Sequence, residues 1–236
     1  MKPNLRSSLG GMLVILCILC QALHAQDPNT IKAEIVALSW KGKIPGLWFQ
    51  TKSGPQSLDV YDRGFTSPAE YTGARTIAFH GSAGDLNLPP AQQPEPVAIA
   101  QLPERGGQVL FLFTEKSGAK QKWQVQVMDN SMHNLPAGGY RVVNFTKEPY
   151  TALFDRTVTP VTASGITIIR PTKQDEVRDL AVQFGRGKQL VYSSVWGHQE
   201  NRRGTIFLLP GDAGSQFISV RRYFQPVLQP GTQETP

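Results

Sequence analysis

Two tryptophans beside predicted turns are the residues of this chain whose chemistry best suits ligand binding. An indole ring combines a large apolar face with a polar N–H group, so an exposed tryptophan can stack on a sugar and still form a hydrogen bond. Aromatic residues inside strands, in contrast, mostly fill a core. Trp48 and Trp196 neighbour predicted turns, which favours exposure. We therefore predict Trp48 and Trp196 as candidate ligand-binding residues.

The acidic residues and histidines offer catalytic or metal chemistry only through positions that are far apart in sequence. Two carboxylates can hydrolyse a glycosidic bond when they lie about 5–10 Å apart, a distance that the sequence does not give. The candidates for such a pair are Asp59, Asp62, Asp129, Asp155 and Glu200. The histidines His80, His133 and His198 have no second ligand at metal-binding spacing within one predicted element. We assign no catalytic residue, no metal ligand and no cofactor.

The N-terminus has the pattern of a secretory signal peptide. Lys2 and Arg6 precede a short apolar run at residues 12–19, and Ala25 supplies a small residue for cleavage. The run is about half of the ~20 residues that a transmembrane helix needs. Leucine, rather than a small residue, precedes Cys17 and Cys20, which disfavours a lipid anchor. We therefore predict a signal peptide over residues 1–25, cleavage near Ala25, no retained transmembrane helix, and a periplasmic or extracellular location.

Composition limits what the exported chain can do. Both cysteines of the sequence lie in the predicted leader, so residues 26–236 have no disulfide, thiol nucleophile or thiolate metal site. The net charge of the whole chain is +6, and the tight basic pairs are Arg202-Arg203 and Arg221-Arg222. Because nucleic-acid binding requires a denser basic patch, we expect no nucleic-acid partner.

The hydrophobic pattern predicts an all-β fold of sandwich type. Short apolar runs alternate with polar residues and are separated by Gly, Pro, Ser and Asp, while no window keeps a helical period. The uninterrupted apolar run at residues 109–113 indicates a strand buried on both faces. Residues 84–96 include four prolines and are interpreted as an extended, polyproline-like surface excursion.

An imperfect internal repeat suggests two similar units. Aligning Gly46 with Gly139 places residues 60–63 on residues 153–156, and a shorter offset places residues 108–111 on 189–192. We predict two similar antiparallel, immunoglobulin-like sandwich units, or one large sandwich with internal duplication. The domain boundaries are a first β unit at residues 26–130, a second at 131–226 and a disordered tail at 227–236.

Several strings of the second half resemble a known group of proteins. They are NLPAGGYRVVNFT at residues 134–146, VMDNS at 127–131, LVYSSVW at 190–196 and RRGTIFLL at 202–209. The chain resembles, over residues 46–224, a group of uncharacterised exported all-β proteins of Gram-negative bacteria. The resemblance implies an envelope setting and favours the sandwich fold. It implies no site residue, because the group has no assigned activity.

Three functions are compatible with these observations. The leading hypothesis is an exported, non-catalytic binding or structural module of the bacterial envelope, with an envelope protein or a glycan as its partner. The alternative is a carbohydrate-binding module that uses exposed tryptophans. The third is a hydrolase with a carboxylate pair. The sequence favours a non-enzyme.

Overall fold

The computed structural model describes residues 30–118, 120–172 and 179–227. The predicted leader and the predicted tail after residue 227 lie outside these residues. Strands dominate the described chain and confirm the all-β fold class. The described part contains no helix that is long and apolar enough to cross a membrane.

Within the described ranges, each half of the chain forms eight strands. In the first half they are β1 (Ile31–Ser39), β2 (Ile44–Thr51), β3 (Gly54–Val60), β4 (Ala69–Gly73), β5 (Thr76–Phe79), β6 (Ala98–Gln101), β7 (Gly107–Glu115) and β8 (Trp123–Asp129), with a short helix α1 (Ala83–Leu86) before β6. In the second half they are β9 (Tyr140–Asn144), β10 (Tyr150–Phe154), β11 (Thr157–Val161), β12 (Ile166–Ile169), β13 (Asp179–Arg186), β14 (Gln189–Gly197), β15 (Arg202–Leu209) and β16 (Ser219–Pro226).

The two halves have the same topology, and each strand of the first half corresponds to the strand of the second half whose number is eight higher. The first has an inner sheet in the order β4-β1-β7-β8, and the second has an inner sheet in the order β12-β9-β15-β16. Facing each inner sheet is an outer sheet, β11-β10-β13-β14 in the second unit. The first outer sheet follows the matching order β3-β2-β5-β6, in which a bridge between Trp48 and His80 joins its two hairpins. The fold therefore consists of two similar sandwich-like units.

Two details of the sequence-based prediction are wrong. The units are not wholly antiparallel, because β1 runs parallel to β7 and β9 runs parallel to β15. The predicted repeat alignment is shifted by one strand. It placed β2 on β9 and β7 on β14, whereas β2 corresponds to β10 and β7 to β15. In the structure Gly107 faces Ala33 and Gly204 faces Tyr140, so β7 is equivalent to β15. Strands share a period of two residues, so their patterns also match when the wrong strands are aligned.

The central strands of the inner sheets, β1, β7, β9 and β15, are buried on both faces. One core fills each sandwich, around Phe79 and Phe111 in the first unit and around Phe154 and Phe184 in the second. A third core lies between the two inner sheets. It consists of Val36, Leu38, Leu110, Leu112 and Met128 from the first unit and Val143 and Phe207 from the second. All side chains of residues 109–113 are 0% exposed, which confirms the predicted strand buried on both faces.

Two buried arginines hold the linker between the units. The Arg141 guanidinium donates to Asn130 Oδ1 (3.3 Å) and to the Asp129 carbonyl. Arg203 donates from Nη1 to the Asn130 carbonyl (2.6 Å) and from Nε to Gln225 Oε1 (3.2 Å). Burial, with a smaller effect from neighbouring Arg203, lowers the pKa of Arg141 to about 10. These bonds satisfy carbonyl groups that the turn between the units leaves without strand partners.

The proline-rich excursion is partly helical, contrary to the extended form predicted for residues 84–96. Ser82 Oγ accepts the Gly84 N–H (3.0 Å) and caps α1. Pro90–Gln92 form a 3₁₀ turn with proline at its start. The helix α1 lies against β2 and β3. The helix α1 therefore covers part of the first outer sheet, while most of residues 87–95 are exposed.

Leu112→Ala tests the shared core between the inner sheets. Leu112 is 0% exposed, so its truncation removes apolar contacts and leaves a cavity, at a cost of about 2–5 kcal/mol of unfolding free energy. The measurement is urea denaturation. The matched control is Leu190→Ala, at a position that is 49% exposed, where we expect a change within about 0.5 kcal/mol. Equal unfolding free energies for the two variants would contradict the shared core.

Candidate functional site

The predicted exposure of Trp196 is wrong. Its side chain is 1% exposed and lies in the core of the second unit. The alternation of β14 turns Trp196 inward, where its Nε1 donates to the Tyr192 hydroxyl (3.2 Å). The Arg222 guanidinium covers the indole ring at 4.9 Å from its centroid. The turn that suggested exposure begins only after Gly197, so the indole offers no free face to a ligand.

Trp48 lies in the other unit, on the central strand β2 of the first outer sheet. It is half-buried. Its backbone exchanges two hydrogen bonds with His80, of 2.8 and 2.7 Å. His80 is 3% exposed, and its Nδ1 has no hydrogen-bond partner within the described chain. The structure therefore does not bring Trp48 and Trp196 together on one surface.

The end of the second unit contains a cleft that sequence reasoning missed. Its volume is about 120 Å³, and the residues that line it are Tyr140, Gly197, Gln199, Arg202, Gly204 and Phe224. Gly204 pairs with Tyr140 on one side and with Phe224 on the other. A Cβ atom at Gly204 would lie 2.6 Å from Tyr140 Cδ1. The missing side chain of Gly204 thus makes room for the Tyr140 ring beside the cleft.

A fixed phenol–imidazole pair forms one wall of the cleft. The Tyr140 hydroxyl lies 2.7 Å from His198 Nδ1. The Tyr140 ring packs on Phe154 and Trp196, with centroid distances of 5.2 and 6.2 Å. Burial raises the pKa of Tyr140 to about 12, and the positive charge of Arg222 opposes this shift. At neutral pH Tyr140 is therefore an uncharged hydrogen-bonding group in a fixed position.

Among the described residues that line the cleft, Arg202 supplies the charge. Arg202 is exposed, and among the described residues its side chain has no hydrogen-bond or ion-pair partner. Arg222 stacks on the neighbouring indole, and Phe224 is 37% exposed. None of the lining residues is acidic. A guanidinium beside an exposed ring can bind a carboxylate or phosphate that is attached to an apolar surface.

Three of the five predicted carboxylate candidates accept backbone N–H groups, Asp155 lies in a turn, and Glu200 is exposed after the end of β14. Asp59 bonds to Lys43 Nζ (2.9 Å) and accepts the Gly46 N–H (2.8 Å), and both contacts lower its pKa, with Lys43 having the larger effect. Asp62 accepts the Gly42 N–H (3.2 Å) and Asp129 accepts the Ser131 N–H (2.7 Å). Asp155 occupies the turn between β10 and β11 with φ of 53°. Within the described residues, no three His, Cys, Asp or Glu side chains are grouped to hold a metal ion.

No family model and no curated protein sequence matches this chain. Its function is therefore argued from its own geometry.

Gly204→Ala tests how the cleft is built. Because the added Cβ would overlap the Tyr140 ring, the ring must move, and we expect a loss of about 1–3 kcal/mol of unfolding free energy. Gly197 also lines the cleft, but a Cβ there meets nothing within 4 Å. Gly197→Ala is therefore the matched control, and urea denaturation is the measurement. Equal stability of both variants would show that Gly204 does not set the ring position.

Proposed function

We propose that this protein is an exported, non-catalytic binding module of the bacterial envelope, and that the cleft of the second unit binds an acidic group of an envelope ligand. The observation that carries the proposal is Arg202, an exposed guanidinium without a side-chain partner in the described chain, beside the fixed Tyr140–His198 pair. The leader pattern around Lys2, Arg6 and Ala25 supports export.

The titration of Tyr140 supports a binding role over a catalytic one. A general base works best when its pKa lies near the working pH. Burial shifts the pKa of Tyr140 in the opposite direction, to about 12. The phenol is therefore suited to hold a hydrogen bond rather than to take up a proton during a reaction.

The neighbouring aromatic residue favours a glycan as the ligand. Phe224 is exposed at the same cleft as Arg202, so a sugar ring could pack on the phenyl group while its carboxylate or phosphate meets the guanidinium. This arrangement keeps the carbohydrate hypothesis but moves it from the tryptophans to Arg202 and Phe224. An acidic envelope glycan is therefore the ligand class that we propose.

Fluorescence titration of the exported protein tests this proposal. The protein is purified from an envelope extract, and N-terminal sequencing is expected to find residue 26 first. Trp196 lies beside Tyr140, so a ligand in the cleft should change the emission. We expect a saturable change with acidic peptidoglycan fragments or acidic glycans. Arg202→Ala should weaken this binding about tenfold or more, because it removes a charged hydrogen bond.

Arg105→Ala is the matched control for Arg202→Ala. Arg105 is exposed and stands two residues before Gly107, as Arg202 stands two residues before Gly204. The Arg105→Ala variant should bind the acidic ligand with the affinity of the wild type. Equal affinities of the two variants, or no saturable change with any acidic ligand, would overturn the proposed site. Binding of neutral glycans that only Trp48→Ala abolishes would instead support the tryptophan platform.

A further inference from the structure

We propose that β14 is a self-association edge, through which two copies of this chain pair antiparallel and join their outer sheets into one eight-stranded sheet. β14 is the last strand of the second outer sheet, after β11, β10 and β13. The edge adjoins the cleft at Gly197, but the proposal does not depend on the cleft's ligand.

The direction of the backbone groups of β14 follows from the hydrogen bonds of the sheet. The Asp155 N–H donates to the Ala181 carbonyl (2.7 Å), so odd-numbered residues in this part of β13 point their backbone groups towards β10. The backbone N–H and C=O groups of the even-numbered residues of β13 then point towards β14. In that pairing Val182 lies opposite Ser194, and Leu180 lies opposite Trp196. In an antiparallel ladder the N–H and C=O groups of Ser193 and Val195 must therefore point away from β13.

These outward groups have no partner within the described chain. Ser193 and Val195 form no hydrogen bond besides those of the named strands, and the Val195 side chain is 66% exposed. The nearest outward backbone group of β14 that does have a partner is the Val191 carbonyl, which accepts the Ile218 N–H at 3.3 Å. The part of the strand from Tyr192 to Trp196 is thus an open template for another strand.

The first unit shows how the equivalent edge is protected. Its edge strand β6 has only 4 residues, and Pro96 and Pro103 stand close to its two ends. The carbonyl of Val97, directly before β6, accepts the Trp123 N–H (3.0 Å). In contrast, β14 has 9 residues, with no proline and no charged residue. Short strands, prolines and charges usually protect an edge strand from pairing with another chain. The strand β6 has the first two of these features, and β14 has none of them.

A two-fold pairing of β14 satisfies the free backbone groups of Ser193 and Val195. With Ser194 opposite its own copy, Ser193 of one chain and Val195 of the other exchange both N–H···O bonds, and the symmetry repeats this pair. The turn at Arg186 and Lys188 then approaches the end of the partner strand, which holds Asp179 and Glu200. At that same end, Arg222 of β16 lies over the Trp196 ring of β14, and Arg202 of β15 lines the adjoining cleft, so the end carries both signs of charge.

The exposed face beside this edge is also uncharged. Across the outer sheet, Val195 of β14 lies opposite Ala181 of β13. Leu153 of β10 lies between Val158 of β11 and Gln183 of β13. Val158 and Val195 are 65% and 66% exposed. When the β14 strands of two copies pair, the exposed faces of their two outer sheets form one continuous surface. A second copy of the chain offers the same uncharged surface, which supports a copy of itself as the occupant.

Sedimentation velocity across a dilution series tests the edge. We expect the wild type to approach twice the monomer mass as its concentration rises. Val195→Pro removes an N–H that points outward, so it leaves the ladder to β13 intact and should give the monomer mass throughout. Val195→Lys is a second variant that blocks the edge with charge. Val158→Lys, equally exposed on the opposite edge strand of the same sheet, should still dimerise.

A single cysteine tests the register. Residues 26–236 contain no cysteine, so Ser194→Cys would be the only thiol and would oppose its own copy at about 4.5 Å between Cα atoms, within reach of a disulfide. We expect mild oxidation to link Ser194→Cys into a covalent dimer and to leave Val158→Cys largely unlinked. A wild-type monomer at every concentration, dimerisation of Val195→Pro like the wild type, or equal crosslinking of both cysteine variants would overturn the proposal.

Discussion

Burial of the central strands of the inner sheets on both faces is the constraint on which the rest of the structure depends. Strands β1, β7, β9 and β15 lie in the middle of four layers, so their side chains must be apolar towards their own sandwich and towards the other unit. At one end of this contact the buried Arg141 and Arg203 hold the linker carbonyls. Because these central strands are enclosed, the surface that the described residues offer to ligands and partners is made of the outer sheets, the edge strands and the ends of the units.

The two units share one topology but differ in what covers it. Between β5 and β6 the first unit inserts the excursion with α1, which lies against its outer sheet. At the equivalent place, between β13 and β14, the second unit has only the turn Gly187-Lys188. The cleft and the open edge are both in this second unit. The two units thus give an internal comparison, in which the edge strand of the first outer sheet is short and flanked by prolines, whereas that of the second is long and open.

The sequence predicted the layers better than it predicted the site. The apolar run at residues 109–113 indicated a doubly buried strand, because only a central strand tolerates five such side chains in succession. Trp196 was misplaced because a position beside a turn does not decide which face of a strand a residue takes. The cleft was missed because Tyr140, Arg202 and Phe224 come from three separate stretches, which only the β9–β15–β16 pairing brings together.

Native-state hydrogen exchange tests the central claim, that the two units unfold as one because their inner sheets share a core. The account predicts that amides of β7 in the first unit and of β15 in the second exchange only through global unfolding, with the same opening free energy. That free energy should equal the one from urea denaturation. If β7 and β15 exchanged with clearly different free energies, each unit would unfold by itself, and the shared core would not be the constraint that we describe.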